Sequence, residues 1–303
     1  MMGLLSPLGW GIVLPVFSSM AYACALVCMR QALRSGTPVA GLVVLNLIIA
    51  AGGFAAAGWL EEFPGASWRA LLWFMAAGTV GQGLGQVTFY IGIQRMGVSR
   101  ATPIQSSTPI WAVLFAVLFL SEQPGPAVWA GTLLIVFGVS LLSLGEVRER
   151  RGQEGWFSGA LAFPVVSSVL YALVPIFMKQ GFATQKTPFL GIGCAFLTGT
   201  VVVFAGRRLL PGGGRLQADR RALGFLLVAA FANTLAAAGF WVALTFADVS
   251  LVLPLSRLVP LWVVVLSYFF LGRLERLNWR IVLSSAVVVG GGRAGLGLPV
   301  RGR

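Results

Sequence analysis

Apolar runs of about twenty residues follow one another along most of this chain, separated by short breaks that carry turn residues or charge. A helix of about 20 apolar residues crosses a hydrocarbon core about 30 Å thick. The pattern therefore predicts ten spanning helices, over 9–32, 38–59, 69–94, 99–121, 126–145, 156–180, 188–206, 222–246, 249–272 and 278–292. Arg34-Ser35-Gly36-Thr37-Pro38 and Glu61-Glu62-Phe63-Pro64-Gly65 typify the breaks, being built from residues that make turns and end helices. Gly290 to Gly292 and Arg293 cut the tenth run short. The expected fold class is an all-α polytopic membrane protein.

The pattern is written twice. Pro103 and Pro109 match Pro254 and Pro260, Ser99 matches Ser250 and Trp111 matches Trp262, all at an offset of 151. Pro15, Ser18, Ser19 and Tyr22 recur as Pro164, Ser167, Ser168 and Tyr171 at an offset of 149, and Thr37-Pro38 recurs as Thr187-Pro188. Residues 1–148 and 149–303 thus form two five-helix repeats. Five is odd, so the second must enter the membrane from the opposite side, which gives the inverted-repeat layout of secondary transporters with a site between the halves. A proline inside a helix removes a backbone hydrogen bond and costs about 3 kcal/mol in water. In a bilayer it is tolerated where the freed group meets protein or a wet cavity. The paired prolines Pro103/Pro109 and Pro254/Pro260 therefore mark helix-kink positions at a central cavity, with bends expected near Pro109 and Pro260.

Composition agrees with a lipid setting. Of 303 residues 57% are hydrophobic and 10% charged, with a mean hydropathy of +0.88, against about 25% charged in soluble domains. A net charge of +13 would point to nucleic acid in a soluble protein. Here the basic residues punctuate apolar runs and read as headgroup contacts and orientation signals. Cys24, Cys28 and Cys194 lie in apolar runs without metal-ligand spacing and read as buried free thiols, and the chain has no histidine. No metal and no cofactor is expected. Ala21-Tyr22-Ala23 before Cys24 mimics a signal cleavage site, but no Lys or Arg precedes it and its twin lies in mid-chain. The first span is therefore read as a retained helix.

Phe89-Tyr90 through Gly97-Val98-Ser99, then Pro109, Leu120-Ser121-Glu122 and Gly131-x-x-Leu134-Ile135-x-x-Gly138, resemble the EamA-type repeat of the drug/metabolite transporter superfamily. The second copy, Phe240-Trp241 through Ala247-Asp248-Val249-Ser250, Pro260 and Leu271-Gly272, is similar, except that Arg273 stands where the first copy has Glu122. The resemblance implies a ten-helix transporter, often an exporter of small metabolites, with helices 1, 3, 4, 6, 8 and 9 round a central cavity and both termini in the cytoplasm.

Polar side chains inside the spans mark candidate substrate-binding positions. Gln82, Gln86, Tyr90 and Gln94 recur every four residues and form one stripe on span 3. Asn233 and Trp241 are the twins of Gln82 and Tyr90 at an offset of 151. Ser18, Ser19 and Tyr22 share a face of span 1, Ser167, Ser168 and Tyr171 a face of span 6, and Gln105 and Thr108 lie beside Pro109. Such groups should turn away from lipid, towards a cavity or towards neighbouring helices as interhelical glue. Gly81-Gln82-Gly83-Leu84-Gly85 lacks the strand and spacing of a nucleotide loop, so Gly81 and Gly85 read as a close-packing pair. Arg257 is the one ionisable side chain well inside a span, about 12 Å below Val249 at roughly 1.5 Å per residue. No Asp or Glu lies at its depth. Its partner is expected to be helix carbonyls, water or an anionic substrate group, the competing reading being a side chain that snorkels to an interface.

These residues favour a secondary transporter, an exporter or exchanger, of small polar, zwitterionic or anionic metabolites across a bacterial inner membrane by alternating access. A channel is the alternative. A membrane-embedded enzyme would need a base, nucleophile pair or metal, and there is little here to build one. The expected partners are a small-molecule substrate and the bilayer, with no nucleic acid, and a monomer is the expected state. Among 22 Lys and Arg, one side of the membrane carries only Arg69, Lys179, Lys186, Arg293, Arg301 and Arg303; Arg257 lies within a span, and all others fall on the opposite side. Positive charge resists translocation, so the loop charges put both termini outside, against the resemblance.

Overall fold

Thr37 opens the second helix for a simple reason. Its hydroxyl accepts from the Ala40 amide while Pro38, whose missing N–H costs nothing in a first turn, presets the backbone. The computed structural model describes residues 7–96, 101, 104–147, 159–210, 214–259 and 262. Within them the chain is helical: α1 (Pro7–Ala32), α2 (Pro38–Trp59), α3 (Trp68–Ala77), a π-helix π1 (Gly78–Gly85), α4 (Gln86–Met96), α5 (Thr108–Leu120), α6 (Pro126–Val147), α7 (Ala162–Thr184), α8 (Pro188–Ala205), α9 (Arg220–Phe246) and α10 (Val249–Ser256). There is no strand among the described residues. Five of the helices are apolar and long enough to cross a membrane. Large side chains such as Leu118, Val201 and Phe231 point outward from the bundle, as a lipid-facing surface requires. The expected tenth span, with Pro103 and Pro260, lies outside the described residues.

Boundaries depart from expectation at informative places. The sixth span ends at Thr184 instead of near 180 because Gly181 stays helical, its α-carbon pressed against the Phe74 ring. The eighth starts at Arg220, since Asp219 takes the N-cap and accepts from the Ala222 amide at 2.6 Å. That bond, with a second from the Ser35 hydroxyl, holds the Asp219 carboxyl below the usual carboxylate range. The fourth span breaks into a turn at Ser106-Ser107 just before Pro109. At the same repeat position the ninth breaks at Arg257-Leu258.

Contacts at the two ends of the bundle sort the loops. Ser35 and Thr37 bond to Asp219 and to the Arg215 carbonyl, tying the α1–α2 loop to the α8–α9 loop. At the other end the Ser67 amide donates to Gln185 Oε1, and the Leu190 amide donates to Glu62 Oε2 at 2.7 Å. There too Glu122 accepts from the Val249 and Ser250 amides at 2.9 and 3.0 Å. Glu62 and Glu122 each follow a non-glycine residue in the left-handed region, Glu61 (φ 56°) and Ser121 (φ 55°). A left-handed residue costs about 1–2 kcal/mol. In return, each turn delivers a carboxylate to the positive end of another helix. Burial pushes the Glu62 carboxyl up, and the amide bonds from Leu190 and Phe189 oppose that rise.

Candidate functional site

The core between the halves is knit by matched hydrogen bonds. Ser18 Oγ donates to the Ala236 carbonyl at 2.7 Å, and its twin Ser167 Oγ donates to the Gly85 carbonyl at 2.8 Å. Gly85 and Ala236 are themselves 151 residues apart, so repeat-related groups make repeat-related contacts. An aromatic cluster of Phe74, Phe182 and Trp241 joins α3, α7 and α9, with ring centroids 5.4–5.9 Å apart in tilted and edge-on arrangements.

Beside this cluster lies a cavity of about 190 Å³. Of the candidate positions, Tyr22, Gln82, Gln86, Tyr171, Asn233, Trp241 and Arg257 line it. They arrive from α1, π1, α4, α7, α9 and the end of α10, so both halves build the wall. Ser19, Tyr90, Gln105 and Thr108 are not among the lining residues. Ser19 accepts from Trp262 Nε1 at 2.9 Å and itself donates to the Val16 carbonyl. Thr108 donates to the Gln105 carbonyl at 2.6 Å, the acceptor that Pro109, lacking an N–H, leaves unused. Tyr90 packs against the cluster of Val39, Leu42 and Val203, and Gln94 is exposed. The four-residue stripe therefore leaves the cavity after Gln86, because each further step of four carries the side chain about 6 Å along the axis and beyond this short site.

Lining residues that the polar pattern did not single out include Ser256, Met178, Phe196 and Phe240. Ser256 could have been found, since it precedes Arg257 between the two prolines. The apolar ones look like any other core position in sequence. Pro175 also lines the cavity. It sits inside α7 four residues after Tyr171, so it leaves the Tyr171 carbonyl without its helical donor.

Arg257 dominates the electrostatics. It caps the C-terminus of α10, where its amide donates to the Pro254 carbonyl and the helix dipole presents its negative end. Among the described residues no carboxylate lines the cavity, and none partners the buried Nε of Arg257. Gln86 Oε1 is likewise buried and unpartnered. Among the described residues no cluster of Cys, Asp or Glu could hold a metal ion, and the three cysteines are free but only half-buried, not buried as expected.

The model of the EamA-like transporter family matches residues 9–144 and again 157–292. The chain belongs to that family. It is accordingly an integral membrane transporter and not an enzyme. A curated relative, described as an uncharacterized transporter in the cobO 3' region of Sinorhizobium sp, is 24% identical over 137 residues. That match takes in 45% of this chain and 94% of the relative. A solved crystal structure described only as that of a protein superposes with a TM-score of 0.72 at 16% identity, over 94% of this chain and 95% of the other. At that identity the likeness concerns the fold, which this EamA-like chain shares almost from end to end.

Proposed function

We propose that this chain is a secondary transporter, working as an exporter or exchanger, that moves small polar, zwitterionic or anionic metabolites across a bacterial inner membrane by alternating access. One observation carries the reading: a cation, Arg257, faces a cavity between the two halves at the break that ends α10, its Nε buried and without a partner among the described residues. Broken helices at a repeat interface are where carriers hold substrate, because loosened backbone and helix ends can exchange partners as the halves rock. A charge deep in a membrane costs at least about 2.5–3.5 kcal/mol, which a purely structural position does not require. In proteoliposomes, counterflow of a bound substrate should saturate with concentration and depend on substrate inside the vesicle. Linear, non-saturating flux would make the protein a channel instead.

Orientation follows from the loop charges. The basic α8–α9 loop is bonded to the loop carrying Arg34, so a basic face gathers at that end, which the positive-inside rule places in the cytoplasm. Both termini then lie outside. A reporter active only in the cytoplasm, fused after Arg303, should stay dark; a bright reporter would reverse the orientation.

A further inference from the structure

The cavity's contents separate two substrate chemistries that the transporter reading leaves together. Among the described residues Arg257 is the one ionised side chain that lines it. An anion entering there meets a guanidinium whose Nε has no partner, with the hydroxyls of Tyr22 and Tyr171 in the same wall. An ammonium group entering beside that anion meets no carboxylate and a like charge, and it must shed its water to do so. Aromatic faces could compensate a cation, but Trp241 is only 4% exposed and is enclosed by Phe74 and Phe182, and the other aromatic side chains of the lining, Tyr22, Tyr171, Phe196 and Phe240, share it with the Arg257 cation.

The amides have a different use. Gln86 Oε1 is buried with no donor, and Gln82 and Asn233 lie in the same lining. An amide presents a donor and an acceptor, so whichever way it is turned it can pair with a hydroxyl, which also has both. The cavity, about 190 Å³, is a little larger than one of about 150 Å³ that admits a benzene, which suits a molecule of a few carbons.

Resting on the transporter reading above, we infer that the site selects small hydroxy-substituted organic monoanions, 2-hydroxy carboxylates in the first instance, over the corresponding zwitterionic amino acids. Arg257 with Tyr22 and Tyr171 holds the carboxylate, and Gln86 holds the hydroxyl.

The test is calorimetric titration of the purified full-length protein with four probes of one carbon skeleton: 2-hydroxybutyrate, butyrate, 2-aminobutyrate and 2-hydroxybutyramide. The hydroxy acid should bind about tenfold tighter than the amino acid, butyrate should fall between them, and the neutral amide should not bind. Gln86→Leu should remove the preference for 2-hydroxybutyrate over butyrate. Gln86→Glu, which supplies the missing carboxylate, should move the preference towards 2-aminobutyrate. Equal or tighter binding of 2-aminobutyrate by the wild type overturns the inference. So does no binding of either anion, or a Gln86→Glu protein that keeps the wild-type ratio. Transport failure reads separately. The expected binding order without any flux in proteoliposomes would sink the carrier reading and leave this one. Saturable flux that prefers the amino acid would do the reverse.

Discussion

Replacing Gly78 by leucine should leave no monodisperse protein to purify. Gly78 opens π1, and a Cβ built on it would overlap the backbone carbonyl oxygen of Ala195 in α8. That neighbour is main chain, so no side-chain rotation relieves the overlap. The two helices would have to separate. Ordinary overpacking of a core costs about 1–3 kcal/mol, and separating α8 from π1 would also pull Gly199 away from Gln82, against which it packs. The loss should therefore exceed that range and remove most of the stability of a marginally stable fold. Gly224→Leu is the control: nothing lies within 4 Å of its Cβ position and the site is exposed. Fluorescence-detected size exclusion of tagged variants should show a sharp peak for Gly224→Leu and aggregate for Gly78→Leu. A folded Gly78→Leu protein would mean that π1 does not pack on α8 as described.

The second large effect is expected at Arg257. Arg257→Gln should cut transport about a hundredfold, since losing one partner of a desolvated charge pair costs about 2–5 kcal/mol and about 1.4 kcal/mol is a factor of ten. The same change removes a charge from the membrane interior, which eases insertion. Yield and thermal stability should hold or rise while flux falls, a combination that a structural or snorkelling arginine would not give. Arg257→Lys should recover part of the flux, because the charge returns without the planar fork. Counterflow in proteoliposomes against thermal stability of the same preparations measures both. Normal flux through the Arg257→Gln protein would refute a binding role.

Much of the bundle could be read in the sequence because membrane helices announce themselves by length and apolarity, and because the chain repeats its own breaks. Thr37-Pro38 and Thr187-Pro188 start helices where the repeat puts them. The cavity lining was legible where chemistry is unusual for its surroundings: an arginine, two glutamines and an asparagine inside apolar runs. It was illegible where only three-dimensional phase decides. Tyr90 and Gln94 share the spacing of Gln82 and Gln86, yet the cavity ends before them. Ser18 lines it while Ser19, one residue on, serves Trp262. Gly81 and Gly85 could be recognised as a close-packing pair, but not as part of a π-helix from Gly78 to Gly85, since a shift from i+4 to i+5 bonding leaves no mark in residue type. Glu62 stood out only as part of a break and Glu122 only as part of the family motif; their partners are 128 and 127 positions away, beyond any local pattern.

Those two glutamates also bear on how the chain is made. Each belongs to the first half and supplies the terminal acceptor for a helix of the second, α8 or α10. During synthesis the donors do not yet exist when the acceptors enter the bilayer, so both carboxylates wait, hydrated at the membrane surface, for well over a hundred residues. The first half reaches its finished form only when the second arrives to claim them. A chain halted midway would carry two left-handed turns, at Glu61 and Ser121, without the helix ends that offset them.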